Sequence, residues 1–479
     1  MIHSLFNKIR PLLPAIFVLM VPSGAQAAEG LDGAALSWLW AVPFAGILLS
    51  IATGPLLFPK IWHAHYGKIA AAWAVLALLP LAVGYGWQLM LASLVHAMLA
   101  EYLSFIVLLF ALYTVSGGIL VTGTMRATPL LNTMLLALGT AFASIIGTTG
   151  AAMILIRPVI RANEKRRSSV HVVVFFIILV ANVGGALSPL GDPPLFVGFL
   201  RGVDFFWPLQ HLWLQTLLVA LPLLALFFVV DLWQARKDPK IAAESDPEPI
   251  GLRGGINFFL IGLIIAAILF SATWKPGIVF DIYGTEVALQ NLLRDGALVI
   301  IALLSLWLTA DEHRSANDFS WEPIREVAKL FAGIFVAIIP VLAMLNAGKA
   351  GIFAPLLSLV ANADGSPHEV PYFWFTGLLS ALLDNAPTYL VFFELAGGNP
   401  TELMGPLSGT LAAISMGAVF MGALTYVGNA PNFMVYAIAT ERGVKMPGFF
   451  AYALIASAVM IPLFVLLTLL PTVPNLGLH

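Results

Sequence analysis

Apolar runs of about 20 residues, the length that carries a helix across a hydrocarbon core, recur through nearly the whole of this chain. No other feature restricts the fold as much. In hydrocarbon every backbone N–H and C=O needs a partner within the protein, which leaves the helix as the spanning element for runs of this length. Sixty per cent of the 479 residues are hydrophobic and 10% are charged, whereas about a quarter are charged in a soluble domain. The 41 glycines and 31 prolines sit inside or between the apolar runs, as membrane helices tolerate. With no cysteine, disulfides, thiolate metal sites and cysteine nucleophiles are excluded. There is no GxxxxGK[ST] loop to power a pump with ATP. The expected fold is an all-α polytopic membrane protein whose partner is the lipid bilayer, with no catalytic residues, no organic cofactor and no nucleic-acid partner.

Residues 1–27 read as a signal peptide: Lys8 and Arg10, an apolar stretch at 12–20, and a small-x-small site at Ala25-Gln26-Ala27. An uncleaved anchor helix is the alternative. Cleavage puts the mature N-terminus on the periplasmic side of a bacterial-type inner membrane. Spans then fall at 36–58, 69–83 and 102–122, with 87–100 at the outer surface. Stretch 129–160 is too long for one plain helix and is split at Gly147-Thr148-Thr149-Gly150, the pattern of a re-entrant hairpin. Residues 171–199 cross with breaks at 184–185 and 189–194, and 209–233 return. A polar cytoplasmic linker, 234–255, separates a first half at 28–233 from a second at 256–479. The second half reads as spans 256–273, 292–308 and 330–345, a surface segment at 321–329, a hairpin at 372–395, a broken span at 411–440 and a last span at 449–470. Beyond the leader, only Arg201, Lys275, Arg294 and Lys349 fall outside the cytoplasm on this path, as the positive-inside rule asks.

Two short elements occur twice. Gly191-Asp192-Pro193-Pro194 matches Gly428-Asn429-Ala430-Pro431 at an offset of 237, and the split at Thr148-Thr149 matches that at Asp384-Asn385 at an offset of 236. Shared spacing near half the chain length marks a duplicated unit, and the topology makes the two units inverted repeats, each with a hairpin and a broken transmembrane helix. Such an arrangement lets one fixed site face either side of a membrane. Breaks at membrane depth free carbonyls and N–H groups that must line a cavity or bind something. Carbonyls with Asn, Ser and Thr oxygens suit a small hard cation, and half-helix N-termini suit an anion. Asp192 and Asp384 stand out, because an ionisable group in the membrane is functional by default. Their plainer reading is an N-cap on the helix that follows. Arg157 and Glu394, about ten residues past the tips, read as snorkelling side chains, and His96 and Glu101 as interfacial.

The run Asn182-Val183-Gly184-Gly185-Ala186-Leu187-Ser188-Pro189-Leu190-Gly191-Asp192-Pro193-Pro194 resembles the signature of the ion transporter superfamily. Leu383-Asp384-Asn385-Ala386-Pro387-Thr388 and Gly428-Asn429-Ala430-Pro431-Asn432 resemble its NhaD-type antiporter branch, and the nearest group is that of citrate transporters and sodium:proton antiporters. The resemblance implies a homodimer of protomers, each with a scaffold and a transport domain that moves like an elevator. It implies sodium at hairpin tips and broken helices: Thr148, Thr149, Asn182, Ser188 and Asp192 at one site; Asp384, Asn385, Thr388, Thr425, Asn429 and Asn432 at the other. The tips depart from the Ser-Asn-Thr of carboxylate symporters.

Three functions are open from these residues. Asp192 and Asp384 suit exchange of sodium for protons, the transported ions then being Na+ and H+. A symporter of citrate or another organic anion would need cationic partners that the apolar core does not offer, Arg157 being the nearest. A non-transporting membrane protein leaves the paired polar breaks without a use.

Overall fold

The computed structural model describes residues 31–238, 249–362 and 365–469; the signal-peptide expectation and the middle of the linker lie outside them. Helices α1 (Val42–Leu57) and α2 (Pro59–Tyr85) form an antiparallel pair. Next come α3 (Trp87–His96) and α4 (Leu103–Ser116), joined without interruption by a π-helical turn at Ala97–Tyr102. Then α5 (Pro129–Ile146) and α6 (Thr148–Asn163) meet at Gly147. A broken helix consists of α7 (Val170–Leu179), a 3-10 turn (Val183–Leu187) and α8 (Pro193–Leu200), followed by α9 (Trp207–Ala235).

The second half runs α10 (Ile256–Thr273), α11 (Leu289–Leu308), α12 (Asp311–Ala316), α13 (Glu322–Ala337), α14 (Ile339–Asn346) and α15 (Ala354–Leu359). It continues with the pair α16 (Glu369–Leu382) and α17 (Asn385–Leu395), then α18 (Pro400–Met404). A second broken helix, α19 (Ser408–Met421), a 3-10 turn (Gly422–Leu424) and α20 (Ala430–Glu441), precedes α21 (Phe449–Leu469). Among the described residues nine helices are long and apolar enough to cross a membrane, or ten if α13 and α14 count as one bent span. Two small antiparallel ladders complete the fold: β1 (Leu120–Thr122) on β2 (Gly251–Arg253), and β3 (Val279–Ile282) on β4 (Thr285–Ala288).

Two expected boundaries are corrected. No glycine or proline interrupts 87–116, so the segment expected at the outer surface continues as helix into the following span. Likewise 321–329 is not separate; it opens α13, which bends by 43° into α14, where Pro340 removes an N–H from the ladder.

The helices fall into two packing groups. One contains α1–α4, α10, α11, α13 and α14; the other contains α5–α9 and α16–α21. Between them α4 lies on α6 and α14 lies on α17, and Phe105 of the first group stacks 4.7 Å from Phe331 and reaches Phe196 of the second at 6.4 Å. The most buried segments are the two broken helices: every described residue of 172–186 and of 409–426 is buried.

Candidate functional site

The site is set by what the breaks do to nearby backbone. Asp192 is the N-cap of α8 in an extended conformation, where an aspartate normally accepts from the N–H of the second or third helical residue. Pro193 and Pro194 occupy the first two positions and have no N–H. The carboxylate caps nothing and turns inward, 1% exposed. One oxygen accepts from Thr148 Oγ1 at 3.0 Å and Asn429 Nδ2 at 2.8 Å; the other accepts from Asn385 Nδ2 at 2.6 Å. Thr148 opens α6, Asn385 opens α17, and Asn429 is the N-cap of α20. One carboxylate therefore gathers both helix-pair tips and both helix breaks.

The supports occur twice, 237 residues apart. Ser188 donates its hydroxyl to the Ser144 carbonyl, and Thr425 donates to the Ala381 carbonyl at 2.6 Å. Ser188 in turn accepts from the Leu190 N–H, and Thr425 from those of Val427 and Gly428. Gly191 lies against Gly185, and Gly428 against Gly422, so closely that a Cβ on Gly191 would strike the Gly185 carbonyl and one on Gly428 the Gly422 carbonyl. Gly191 and Gly428 let the chain double back at matching places, and a Cβ on Gly185 would press on Thr148. Carbonyls released by the breaks are collected by amides. Asn182 donates to Ile177 O at 2.8 Å and to Asn432 Oδ1 at 2.7 Å; Asn429 also reaches Ala181 O at 3.0 Å; Asn432 donates to Gly422 O and Thr425 O, both at 2.9 Å.

The oxygens left over define the chemistry. Asn385 Oδ1 and Asn429 Oδ1 are buried without a hydrogen-bond partner, an omission that costs about 1–3 kcal/mol each. Both belong to amides whose nitrogens rest on Asp192, and none of the residues bonded to Asp192 is basic. A carboxylate, a hydroxyl and two amide carbonyls make an oxygen set for a hard cation with little geometric demand. Among the described residues no group of three or more His, Cys, Asp and Glu could hold a metal ion.

Residues expected at two sites are joined here: Thr148, Asn182, Asp192, Asn385, Asn429 and Asn432 form one hydrogen-bonded chain crossing both halves. Asp384 is 8% exposed and does cap: its Oδ1 accepts from the Ala386 N–H at 3.1 Å, and Thr388 donates to its carbonyl at 2.9 Å. It has no hydrogen bond to the Asp192 cluster among those described. Thr149 is half-buried beside that cluster. Because α6 starts at Thr148 and α17 at Asn385, the position matching Asp384 is Gly147, at φ +84. The hairpin offset is 237, the same as that of the broken helices.

Charged side chains at the far ends of the same helices differ from expectation. Arg157 and Glu394 do not snorkel; they are 8% and 5% exposed and ion-paired. Arg201, at the C-cap of α8, bridges Glu394 and Glu101, each at 2.6 Å. Glu101 is thus buried and not interfacial. Arg157 Nε lies 3.4 Å from Asp318 Oδ2, which Arg442 also meets at 2.5 Å. Asp318 lies in the loop before α13; partial burial alone would raise its carboxyl, but Arg442 and Arg157 outweigh that and hold it below the usual range. A further network went unread in the sequence: Asp231, fully buried, pairs with Arg166 and His171 and accepts from Asn132, which also bonds Asn163. It ties the base of the α5–α6 pair to α7 and α9. An aspartate inside an apolar 29-residue helix was the signal available.

Comparison with known proteins matches residues 33–471 to the model of a family described as "Putative citrate transport". An uncharacterized transporter of Mycobacterium bovis and one of Mycobacterium tuberculosis are each 26% identical over 336 residues, covering 66% of this chain and 71% of the relative. A 46 kDa membrane protein of Mycobacterium leprae is 24% identical over 331 residues, with the same coverage.

Proposed function

This chain belongs to the family described as "Putative citrate transport", and from that premise and the Asp192 centre we propose that it is a secondary transporter exchanging sodium ions for protons. The observation that carries the reading is the buried carboxylate held by Thr148, Asn385 and Asn429 with no basic neighbour and two unpartnered amide oxygens. A lone carboxylate out of water is tolerated when it takes up a cation or a proton. Competition between the two at one group is the simplest form of exchange.

The transport cycle we propose is of elevator type, in a homodimer within an inner membrane, the mature N-terminus periplasmic. The second packing group, which holds the whole site, moves against the first. Support comes from the doubled supports around Ser188 and Thr425 and from the tips of α6 and α17 meeting at one carboxylate. Inverted halves with re-entrant hairpins would build such a centre from both sides of the bilayer.

The family's description names citrate transport, which gives a second reading, cation-coupled symport of that anion. A multiply charged anion needs positive charge, yet Arg157 is paired with Asp318 and Arg201 with two carboxylates. Exchange is therefore preferred. Purified protein in liposomes with an internal pH dye and an imposed proton gradient decides. External sodium is expected to dissipate the gradient. If sodium leaves it intact while labelled citrate enters only in sodium's presence, symport replaces exchange.

A further inference from the structure

Between the two packing groups lies a cavity of about 590 Å³, lined by Ser93, His96, Glu101 and Asn346 of the first group and by Arg201 of the second. Its wall includes Phe335. The same phenylalanine belongs to an apolar seam with Phe331, Val197, Ala386 and Pro387 whose free volume is about 10 Å³, room for at most one water. Ala386 follows Asn385, whose amide rests on Asp192. The seam thus adjoins the cavity through Phe335 and the Asp192 cluster through Ala386.

We infer that this cavity is the vestibule through which a cation reaches Asp192, with Arg201 as its charged gate and the Phe331–Phe335 seam as its apolar one. The inference rests on the cation-exchange reading. Its first support is the sign of the charge: Arg201 faces Glu101 and Glu394, leaving one net negative charge, and Asp32 on the cavity lining adds another. A low-dielectric mouth of that sign concentrates cations and repels a polycarboxylate. The second support is the connection Arg201 makes, because its guanidinium joins Glu101 in the π-helical turn of one group to Glu394 at the end of α17 in the other. A cation arriving at these oxygens competes with the guanidinium. Releasing Glu101 unties α8 and α17 from the first group, which lets the seam part.

The absence of cysteine from the chain makes accessibility labelling direct. Single variants Ser93→Cys and Ala386→Cys would be treated with a membrane-impermeant thiosulfonate in right-side-out and in inverted vesicles, with labelling read by mass. Ser93→Cys is expected to react from one face only, and Ala386→Cys to be slow. Adding Phe335→Ala or Arg201→Gln should speed labelling of Ala386→Cys from that same face by about tenfold. Arg201→Lys should not. Should Arg201→Gln fail to fold, Glu101→Gln cuts the same link while Arg201 keeps Glu394. Acceleration from the opposite face, or no acceleration by either gate variant, overturns the vestibule. Labelling uses no transport assay. The expected pattern without sodium–proton exchange would remove the exchange reading and keep the vestibule, and exchange with the opposite pattern would do the reverse.

Discussion

The two broken helices share a backbone and differ in charge. Asp192 and Asn429 stand at matching positions, both extended, both followed by a proline at the second helical residue, and both with side chains turned from the helix they precede. One is a carboxylate and the other its neutral isostere, and they hydrogen-bond to each other at 2.8 Å. A symmetric pair of aspartates would have set two like charges in contact, a costly arrangement in so little water. With one of each, a single cation or proton suffices to neutralise the pair. Matching backbone supplies the geometry, and the unmatched side chains supply the charge.

The largest effect expected from disturbing this pair is that of Asp192→Asn. It keeps the shape, removes the charge, and should lower sodium-driven proton flux by about a hundredfold or more, equivalent to some 2.7 kcal/mol, while the protein still inserts and purifies as a monodisperse species. Flux near that of the parent would remove the carboxylate from the mechanism. Moving the charge across the pair sharpens the comparison: adding Asn429→Asp to Asp192→Asn should recover part of the flux, since Thr148 and Asn385 stay in place. No recovery would show that the two positions are not interchangeable.

Asp384→Asn separates capping from charge, because asparagine caps as well as aspartate. A fall of about tenfold in flux with unchanged thermal stability is expected; parental flux would leave Asp384 as a cap alone. The smallest effects are those of Ser188→Ala and Thr425→Ala. Each removes one hydrogen-bonded hydroxyl, half-buried at Ser188 and buried at Thr425, and should cost about 1 kcal/mol of stability, measurable as similar shifts in thermal melting. A large difference between the two would break the equivalence of the halves.

Much of this was legible in the sequence because the breaks at Gly147, Pro193, Pro194 and Pro431 are written in glycine and proline and the long spans in the length of their apolar runs. The offset between Asp192 and Asn429 located both halves. What could not be read was which acid is engaged by its own helix. Asp192 and Asp384 look alike until the N–H groups after them are followed: Pro193 and Pro194 have none and the Leu195 N–H goes to the Asp192 backbone carbonyl at 3.1 Å, while Ala386 offers the Asp384 carboxylate a donor. Nor could the sequence show that Thr148 and Asn385, from opposite halves, meet on one carboxylate, since contacts between distant segments depend on packing that no local pattern encodes. Arg157, Glu394 and Glu101 were misplaced for the same reason; their partners Asp318 and Arg201 lie far off in the chain.

The three-residue ladder of β1 on β2 pairs Leu120 with Arg253, Val121 with Leu252 and Thr122 with Gly251. Arg161 of α6 adds a hydrogen bond to the Val121 carbonyl at 2.7 Å. Everything from α5 to α9 leaves the first packing group at one strand and comes back at the strand beside it. The second packing group is joined to the first again between α15 and α16, at the end where Tyr372 bonds the Leu395 carbonyl. In mechanical terms the proposed slide runs between two anchorages, one at each end, and the chain at both must absorb the stroke.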